Sequence, residues 1–256
     1  MILERGYGYM KNKIWNILFP IITILIVFIL WTIYSFSVDN SLICPTPKAT
    51  FKEFLHYIST SKFYTYLFNT LGRAVKSFII SFIVAFFMAI LSKMFNICRK
   101  IFLPFNGIIR GIPTMSIILM LAYSLDKGDV PIIVSLIVLL PMLYSIILGS
   151  LDNVDNKIIE MAEIYKVQKK DIIFKIYLRE IAKPLIEGIA TAASFNLKLI
   201  ISAEAISFPI SCIGTQMKYE QINLEMAKVF ALTIVAVALG ALIEAIIRGI
   251  GHVLVR

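Results

Sequence analysis

Charged residues are scarce in this sequence, and so are histidine and cysteine. Asp, Glu, Lys and Arg make up 16% of the 256 residues, whereas soluble globular domains carry about 25%. Hydrophobic residues make up 59%, and they lie in long runs of Ile, Leu, Phe and Val that recur through the whole chain. A soluble domain behind a cleaved signal peptide is therefore excluded, and the composition predicts an integral membrane protein.

The residues that usually catalyse reactions or hold metals are few and scattered. His56 and His252 form no HExxH motif, and Cys44, Cys98 and Cys212 form no CxxC motif. Neither a zinc site nor a disulfide framework is indicated, although a bridge between Cys44 and Cys212, both in predicted outer loops, stays open. No GxxxxGK[ST] sequence occurs, so we expect no nucleotide and no cofactor on this chain. A membrane enzyme is disfavoured.

Six runs are long and apolar enough to cross a bilayer, which takes about 20 residues per helix. They lie at residues 14–36, 67–91, 101–125, 130–149, 185–205 and 226–247. Pro104, Pro113 and Pro141 would interrupt or kink the spans that contain them. The pattern predicts an all-α polytopic membrane protein with six transmembrane helices, one domain over residues 1–256, and both termini on the same side.

The distribution of Lys and Arg predicts the orientation. Fifteen of them lie in the termini and in the loops on the same side, against six in the opposite loops. Because cytoplasmic loops carry the excess of positive charge, both termini and the loop at 152–184 should be cytoplasmic. This topology also accounts for the net charge of +9, so no nucleic-acid partner is expected.

A short outer helix is predicted between the first two spans, after the sequence CPTP. Thr50 is its expected N-cap, with Glu53 three residues later. Phe51, Phe54 and Leu55 share one face at helical spacing. The pattern favours a helix that lies on the outer leaflet of the membrane.

The loop at 152–184 is much longer than a connection between two helices requires. It contains two amphipathic pieces, one around Ile158–Val167 and one over 170–179. Such helices need a surface to lie on. Anionic lipid headgroups would serve, and so would a groove on a cytoplasmic protein partner.

The loop sequence LDNVDNKIIEMAEIYKVQKKDIIFKIYLREIAKP resembles the EAA loop in permease subunits of ATP-binding-cassette (ABC) importers. Glu160 and Ala162 match the first and third positions of the E-A-A motif, and Leu178 matches the Leu before the family's Pro. Lys166 stands where the family has Gly, and Arg179 stands where it has Pro. The Gly normally allows a tight turn between two short helices, so Lys166 puts the geometry of this turn in question.

Other stretches strengthen the resemblance. ICPTPKATFKEF, NTLGRAVKSFIISFIVAFFMAI, IRGIPTMSIILMLAYSLDKGD and GIATAASFNLKLIISAEAI are similar to the nitrate/sulfonate/taurine-type permeases of this family. The likeness covers residues 41–206. It departs at Leu197, where Trp is usual, and at Lys198, where an apolar residue is usual.

The resemblance implies a type I ABC importer permease with cytoplasmic coupling helices in the bacterial cell membrane. Its partners would be cytoplasmic ABC ATPase subunits, a second permease subunit that is either a copy or a paralogue, and an extracellular or periplasmic solute-binding protein. ATP and Mg would be held by the ATPase. The residues expected to dock onto the ATPase are Ile159, Glu160, Ala162, Glu163, Ile164 and Lys166. Of these, Ile159, Ala162 and Ile164 are candidates for a buried knob.

Of the charges within predicted spans, Lys198, Glu204 and Arg110 are candidates for lining the translocation path, because a charge at membrane depth usually faces a cavity or a partner. Lys198 is a candidate for lining a solute path, or else it forms a pair inside the protein. Helical spacing puts Lys198 and Glu204 on different faces, so a direct pair between them is disfavoured. Arg110 either lines the inner entrance or snorkels to the cytoplasm. Lys198 and Arg110 favour a small anionic or zwitterionic organic solute, and the resemblance implies a solute class that includes vitamin precursors. The alternative function is an ATP-independent secondary transporter or channel.

Overall fold

The computed structural model describes residues 2–154, 156–168 and 178–254, and these residues form helices and no strands. The ten described helices are α1 (Ile2–Val38), α2 (Pro47–Ser59), α3 (Ser61–Met94), α4 (Asn96–Gly111), α5 (Thr114–Ser124), α6 (Val130–Asp152), α7 (Asn156–Ile164), α8 (Leu178–Ser207), α9 (Ile213–Ile222) and α10 (Met226–Leu254). The predicted all-α class is confirmed. Most of the second amphipathic piece, predicted at 170–179, lies outside the described residues.

Five of these helices, α1, α3, α6, α8 and α10, are long and apolar enough to cross a membrane. The sequence at 101–125, predicted as one span that prolines interrupt or kink, is divided between α4 and α5, which meet at an angle of 86°. The break falls at Pro113. Because a proline disfavours helical backbone in the residue before it, Ile112 is extended, with φ −80° and ψ 127°. The bent pair counts as a sixth span if its two helices cross together.

The outer helix α2 begins earlier than predicted. Its N-cap is Thr46, whose side-chain oxygen accepts a hydrogen bond of 3.2 Å from the backbone N–H of Ala49. Pro47 occupies the first helical position, where its missing N–H costs nothing. Thr50, the predicted cap, is a buried residue inside the helix. The prediction misplaced the start because it read a Pro as part of an extended turn.

Small residues on α3 allow it to pack closely against α6 and α8. The buried positions of α3 follow helical spacing and are almost all Ala, Ser or Thr; from Thr70 onward they are Thr70, Ala74, Ser77, Ser81, Ala85, Ala89 and Ser92. Ala85 and Ala89 lie in one core cluster with Leu143 and Tyr144 of α6. Such small-residue stripes are a common device in membrane helix packing, because they let two backbones approach.

A buried amide joins the three central helices. Asn196 of α8 donates a hydrogen bond of 2.7 Å to the carbonyl of Ala74 on α3. Its side-chain oxygen accepts from Ser77 of α3 at 3.4 Å and from Ser135 of α6. The hydroxyl oxygens of Ser135 and Ser77 lie 3.0 Å apart, within hydrogen-bonding distance of each other. A polar network whose members are satisfied in this way fixes the rotational setting of each helix.

The first helix lies at the edge of the fold, and the apolar window that makes it a candidate span is almost entirely exposed. Trp31 of α1 stacks on Phe230 of α10, with ring centroids 5.6 Å apart, and its indole N–H donates to the carbonyl of Pro45 at 3.1 Å. Ser35 donates to the carbonyl of Cys44 at 3.1 Å. These contacts attach the outer end of α1 to the loop before α2.

Candidate functional site

The helix α8 has an exposed polar face, although it is the most buried of the candidate spans. It is also the least apolar of them. Its exposed positions recur every three or four residues and form one stripe, here called the α8 face, which consists of Glu187, Thr191, Phe195, Lys198 and Ser202. The exposed faces of α3 and α10, in contrast, consist largely of Ile, Leu, Val and Phe. Lipid suits those two faces, whereas the α8 face requires water or another protein.

Lys198 lies in the outer half of the α8 face. It is exposed, and within the part of the chain that the structure describes it makes no hydrogen bond or ion pair. Its stem passes over Gly240 of α10: a Cβ added there would lie 4.0 Å from Cε of Lys198 and 3.0 Å from Oγ of Ser194. The ammonium group is thus presented at the surface by two closely packed helices.

Glu204 does not share that surface, because its side chain is fully buried (0% exposed). One carboxylate oxygen pairs with the guanidinium of Arg73 at 3.0 Å. The other accepts hydrogen bonds from the hydroxyl of Thr70 at 2.9 Å and from the backbone N–H of Gly214 at 3.1 Å. The carboxylate therefore binds α3, α8 and the start of α9 together. The described contacts of Glu204 are thus all inside the protein, and its place in a solute path stays a prediction.

The close approach of α9 to α8 requires glycine at position 214. A Cβ on Gly214 would lie 2.2 Å from the carbonyl oxygen of Ile201 and 2.6 Å from Cβ of Glu204. The hydroxyl of Thr70 also accepts from the N–H of Ile213 at 3.0 Å, so the first turn of α9 is held by side chains of α3 and α8. The set formed by Glu204, Arg73, Thr70 and Gly214 is here called the Glu204 brace, and Arg73 supplies its counter-charge.

Arg110 is bonded to α6. Its guanidinium donates to the carbonyl of Pro141 at 2.5 Å and to the hydroxyl of Ser145. The residue lies in the last turn of α4, directly before the bend, and remains partly exposed. The structure therefore places Arg110 between α4 and α6, on a different element from the α8 face.

A second buried carboxylate, that of Glu220, joins α2, α9 and α10. Tyr57 of α2 donates to Glu220 of α9 at 2.9 Å, and Lys228 of α10 pairs with the same carboxylate at 3.6 Å. Burial raises the pKa of Tyr57, and the hydrogen bond to Glu220 raises it further. A pocket of about 190 Å³ opens beside these residues, lined also by His56, Lys62 and Gln216.

The two cysteines predicted in outer loops are both buried and both free thiols. Cys212 precedes α9, and burial raises its pKa to about 11, with the nearby charge of Glu204 contributing to the same direction. A thiol with such a pKa is almost entirely protonated near neutral pH and reacts slowly. The bridge between Cys44 and Cys212 that the sequence left open is absent here.

The predicted docking segment forms α7 and the turn that follows it. Glu160, Ile164 and Lys166 are exposed, whereas Ala162 is buried against its own chain at 4% exposure. The backbones of Ile159 and Glu163 belong to α7, and their side chains lie outside the described part of the structure. Ala162 is thus covered by its own chain, and its part in docking stays a prediction.

Of the exposed apolar residues at the end of α7, the sequence analysis named Ile164 and missed Met161 and Tyr165. Met161, Ile164 and Tyr165 are 54%, 78% and 76% exposed. Their spacing of three and four residues places them on one face of a helix, here called the α7 patch. Helical spacing alone could have placed these three residues on one face. It does not show whether this face or the face with Ala162 is covered by the rest of the chain.

Lys166 occupies the left-handed conformation that the family's Gly would take. Its φ is +53°. The N–H of Tyr165 donates to the carbonyl of Met161 at 3.1 Å, and the N–H of Val167 donates to the carbonyl of Ala162 at 3.0 Å. The second bond spans five residues, as in the Schellman motif that ends many helices at a glycine. The turn is thus formed despite the side chain, at a cost of about 1–2 kcal/mol for an L-residue in this region.

Comparison with known proteins agrees with the helical membrane architecture. The model for binding-protein-dependent transport system inner membrane components matches residues 81–252, which is more than half of the chain, and the chain belongs to this family. Its fold is similar to that of a chain of the inward-facing MetNI methionine ABC transporter, with a TM-score of 0.61 and 14% sequence identity, covering 75% of this chain and 95% of that one. No curated protein sequence matches significantly.

The predicted class, a permease subunit of an ABC importer, is confirmed by the family and by the fold. Membership implies ATPase subunits and a second permease as partners. It also favours the importer over an ATP-independent secondary transporter or channel. The narrower nitrate/sulfonate/taurine type stays a prediction.

Proposed function

We propose that this permease subunit lines a solute path with the α8 face and is coupled to a separate ATPase through α7. The observation that carries the first part is the polarity of the α8 face. A stripe containing Glu187, Thr191 and Lys198 is exposed on a helix long enough to cross the membrane. Because such groups are costly against hydrocarbon, the stripe is best placed against water in the space between two permease subunits.

Lys198 supports the proposed solute class. It is the exposed cation in the outer half of the α8 face, and it has no acidic partner among the described residues. An unpaired ammonium beside a low-dielectric wall attracts anions and raises their local concentration. A small anionic or zwitterionic organic compound, including a vitamin precursor, fits this environment.

The α7 patch supports the proposed coupling. Large apolar side chains on a short helix with charged neighbours are the usual anchors of a helix that binds in a groove. Met161, Ile164 and Tyr165 present such anchors, and Glu160 is exposed beside them. The turn at Lys166 sets the direction in which the chain leaves the groove. Residues 152–184 would thus form the coupling loop.

The remaining parts of the proposal follow from the family. The permease would work with a second permease subunit, either a copy of this chain or a paralogue, and with an extracellular or periplasmic solute-binding protein. ATP and Mg would be bound and hydrolysed by the ATPase, with no cofactor and no catalysis on this chain. The excess of Lys and Arg supports cytoplasmic termini in a bacterial cell membrane.

Docking is tested by co-purification with the ATPase encoded beside the permease. We expect Ile164→Glu to weaken binding by about 2 kcal/mol or more, as for the anchor residues of other interfaces, which is about a thirty-fold loss of affinity. Val253→Glu is the matched control, since Val253 is equally exposed (77%) near the end of α10. Equal recovery of the ATPase with both variants would remove α7 from the coupling interface.

The path is tested by cysteine accessibility in membranes, in a Cys98→Ser background. We expect Ser202→Cys on the α8 face to react with water-soluble methanethiosulfonates and Leu242→Cys, on the exposed apolar face of α10, to stay unlabelled. An anionic reagent should react with Ser202→Cys faster than a cationic one, and Lys198→Ala should abolish this preference. Labelling of both positions, or of neither, would contradict a water-lined α8 face.

A further inference from the structure

The helix α4 is separated from its neighbours in sequence by a break at each end. A single extended residue, Phe95, with φ −125° and ψ 113°, connects it to α3. At its other end, Ile112 and Pro113 lead into the 86° bend before α5. A segment with such connections does not follow the movement of α3 or α5 through backbone hydrogen bonds alone. Its position depends on what its side chains hold.

Two arginines of α4 hold it to α6. Near the first turn of α4, the guanidinium of Arg99 donates hydrogen bonds to both carboxylate oxygens of Asp152, at 2.8 and 3.2 Å. In its last turn, Arg110 donates to the carbonyl of Pro141 at 2.5 Å and to the hydroxyl of Ser145. Both contacts are to α6, whose last residue is Asp152.

The two contacts are in register. Arg99 and Arg110 are eleven residues apart, and so are Asp152 and Pro141, in the opposite chain direction. Eleven residues make about three helical turns and a rise of about 17 Å, so both members of each pair lie on the same face of their helix. Two fixed points at equal spacing on two antiparallel helices prevent sliding and relative tilting, which one contact would permit.

Asp152 is also close to α7 in the chain. The last residue of α6 precedes the first residue of α7, Asn156, by four positions. Lys93, in the last turn of α3, pairs with the same carboxylate at 3.1 Å. A displacement of α7 therefore reaches α6 first, and the carboxylate at the end of α6 is joined to both α3 and α4.

We infer that Arg99 and Arg110 form a two-point clamp that makes α4 and α6 one rigid body, so that a displacement of α7 is passed through α6 to α4. This inference rests on the proposed docking of α7 to an ATPase. In this inference the two arginines are positioning residues, because each acts through its contact with α6. The ion pair of Arg99 and Asp152 is partly exposed, so it contributes little to folding stability, and its removal should affect coupling more than folding.

The clamp is tested with the permease–ATPase complex in lipid nanodiscs. A fluorophore on Phe105→Cys, in a Cys98→Ser background, reports on the middle of α4, where Phe105 is 52% exposed. The measured quantity is the change in emission when Mg-ATP and vanadate are added, which needs no knowledge of the solute. Co-purification and ATP hydrolysis are recorded on the same samples.

We expect Arg99→Gln and Arg110→Gln each to reduce the nucleotide-dependent population shift by about two- to thirty-fold, the usual range for residues that carry coupling. ATPase binding and basal hydrolysis should persist. The exchanged pair Arg99→Asp with Asp152→Arg should restore part of the response, which a merely misfolded variant would not show. Arg248→Gln is the matched control, because it breaks a surface ion pair with Glu244 within α10.

The outcomes separate the two proposals. Absence of the ATPase from the unmutated complex contradicts the proposed docking, and the clamp inference with it. ATPase binding with an unchanged response in both Arg99→Gln and Arg110→Gln overturns the clamp alone. An unmutated complex that binds the ATPase but shows no response at Phe105→Cys also overturns it, because nothing is then passed to α4.

Discussion

Loss of the Arg73 side chain should strongly destabilise the protein, because it leaves the buried carboxylate of Glu204 without a counter-charge. Glu204 is fully buried, and its bonds to Thr70 and Gly214 are neutral. Breaking a buried ion pair by removing one partner costs about 3–5 kcal/mol. Because the side chain of Arg73 is itself 18% exposed, water reaches part of the pair, and we take the lower value of about 3 kcal/mol for Arg73→Ala.

The matched control is Lys76→Ala, one turn further along α3. Lys76 is exposed, and among the described residues it makes no hydrogen bond or ion pair. In a domain of 150–250 residues each kcal/mol shifts Tm by about 2–4 °C, so Arg73→Ala should melt about 6–12 °C below Lys76→Ala. The assay is thermal unfolding in detergent, followed by the fluorescence of the two tryptophans.

A double variant distinguishes the loss of charge pairing from the loss of packing. Arg73→Ala combined with Glu204→Gln removes the unpaired charge, so it should be more stable than Arg73→Ala alone. Glu204→Gln keeps a side-chain oxygen for Thr70 and Gly214. The reasoning is refuted if Arg73→Ala melts together with Lys76→Ala, or if the double variant is no more stable than Arg73→Ala.

Three further predictions use the same melting assay or a labelling assay. Gly214→Ala should lower Tm sharply, since its Cβ would meet the carbonyl of Ile201 at 2.2 Å, whereas Gly249→Ala, with no atom within 4 Å, should be neutral or stabilising; equal effects would contradict the close approach of α9. Lys166→Gly should stabilise by about 1 kcal/mol and keep ATPase binding, while Lys166→Val should weaken both; a stabilising Val would refute the left-handed turn. A maleimide should label Cys98 and spare Cys212 near neutral pH. The pKa of Cys212 is raised from 9.0 to about 11, so the folded state keeps the thiol protonated at a pH where the unfolded chain loses the proton. The free energy of unfolding should therefore be unaffected below about pH 9 and should fall above it. A Cys212→Ala variant should lack this fall.

Much of the architecture could be predicted because hydropathy is a local property. Spans at 14–36, 67–91, 130–149, 185–205 and 226–247 overlap long helices, whose own bounds are wider because polar turns extend beyond the apolar core. The span at 101–125 could not be predicted correctly from hydropathy, since an apolar window does not register a change of direction. Pro113 was visible in the sequence, but whether a proline kinks a helix or ends it depends on the packing on either side.

The site residues divide in the same way. Lys198 was recognised as unusual because an apolar run rarely contains a lysine, and its exposure on the α8 face is compatible with the predicted path. Glu204 was recognised because a carboxylate is equally unusual in an apolar run. Its partner Arg73, however, is 131 positions away in the chain. Sequence spacing does not relate two residues so far apart in the chain. Only the packing of α3 on α8 shows that Arg73 and Glu204 form an ion pair.

By itself, the sequence determined that this chain is a helical membrane protein, that it carries a long charged loop of the importer type, and that Lys166 replaces a glycine in that loop. These properties depend on composition and on residues close together in the chain. The tertiary structure alone decided that Ala162 is covered while Met161, Ile164 and Tyr165 are exposed, that Lys166 still adopts the turn, and that two arginines hold α4 to α6. Periodicity states which side chains share a face of a helix, whereas only the arrangement of the helices states what lies against that face.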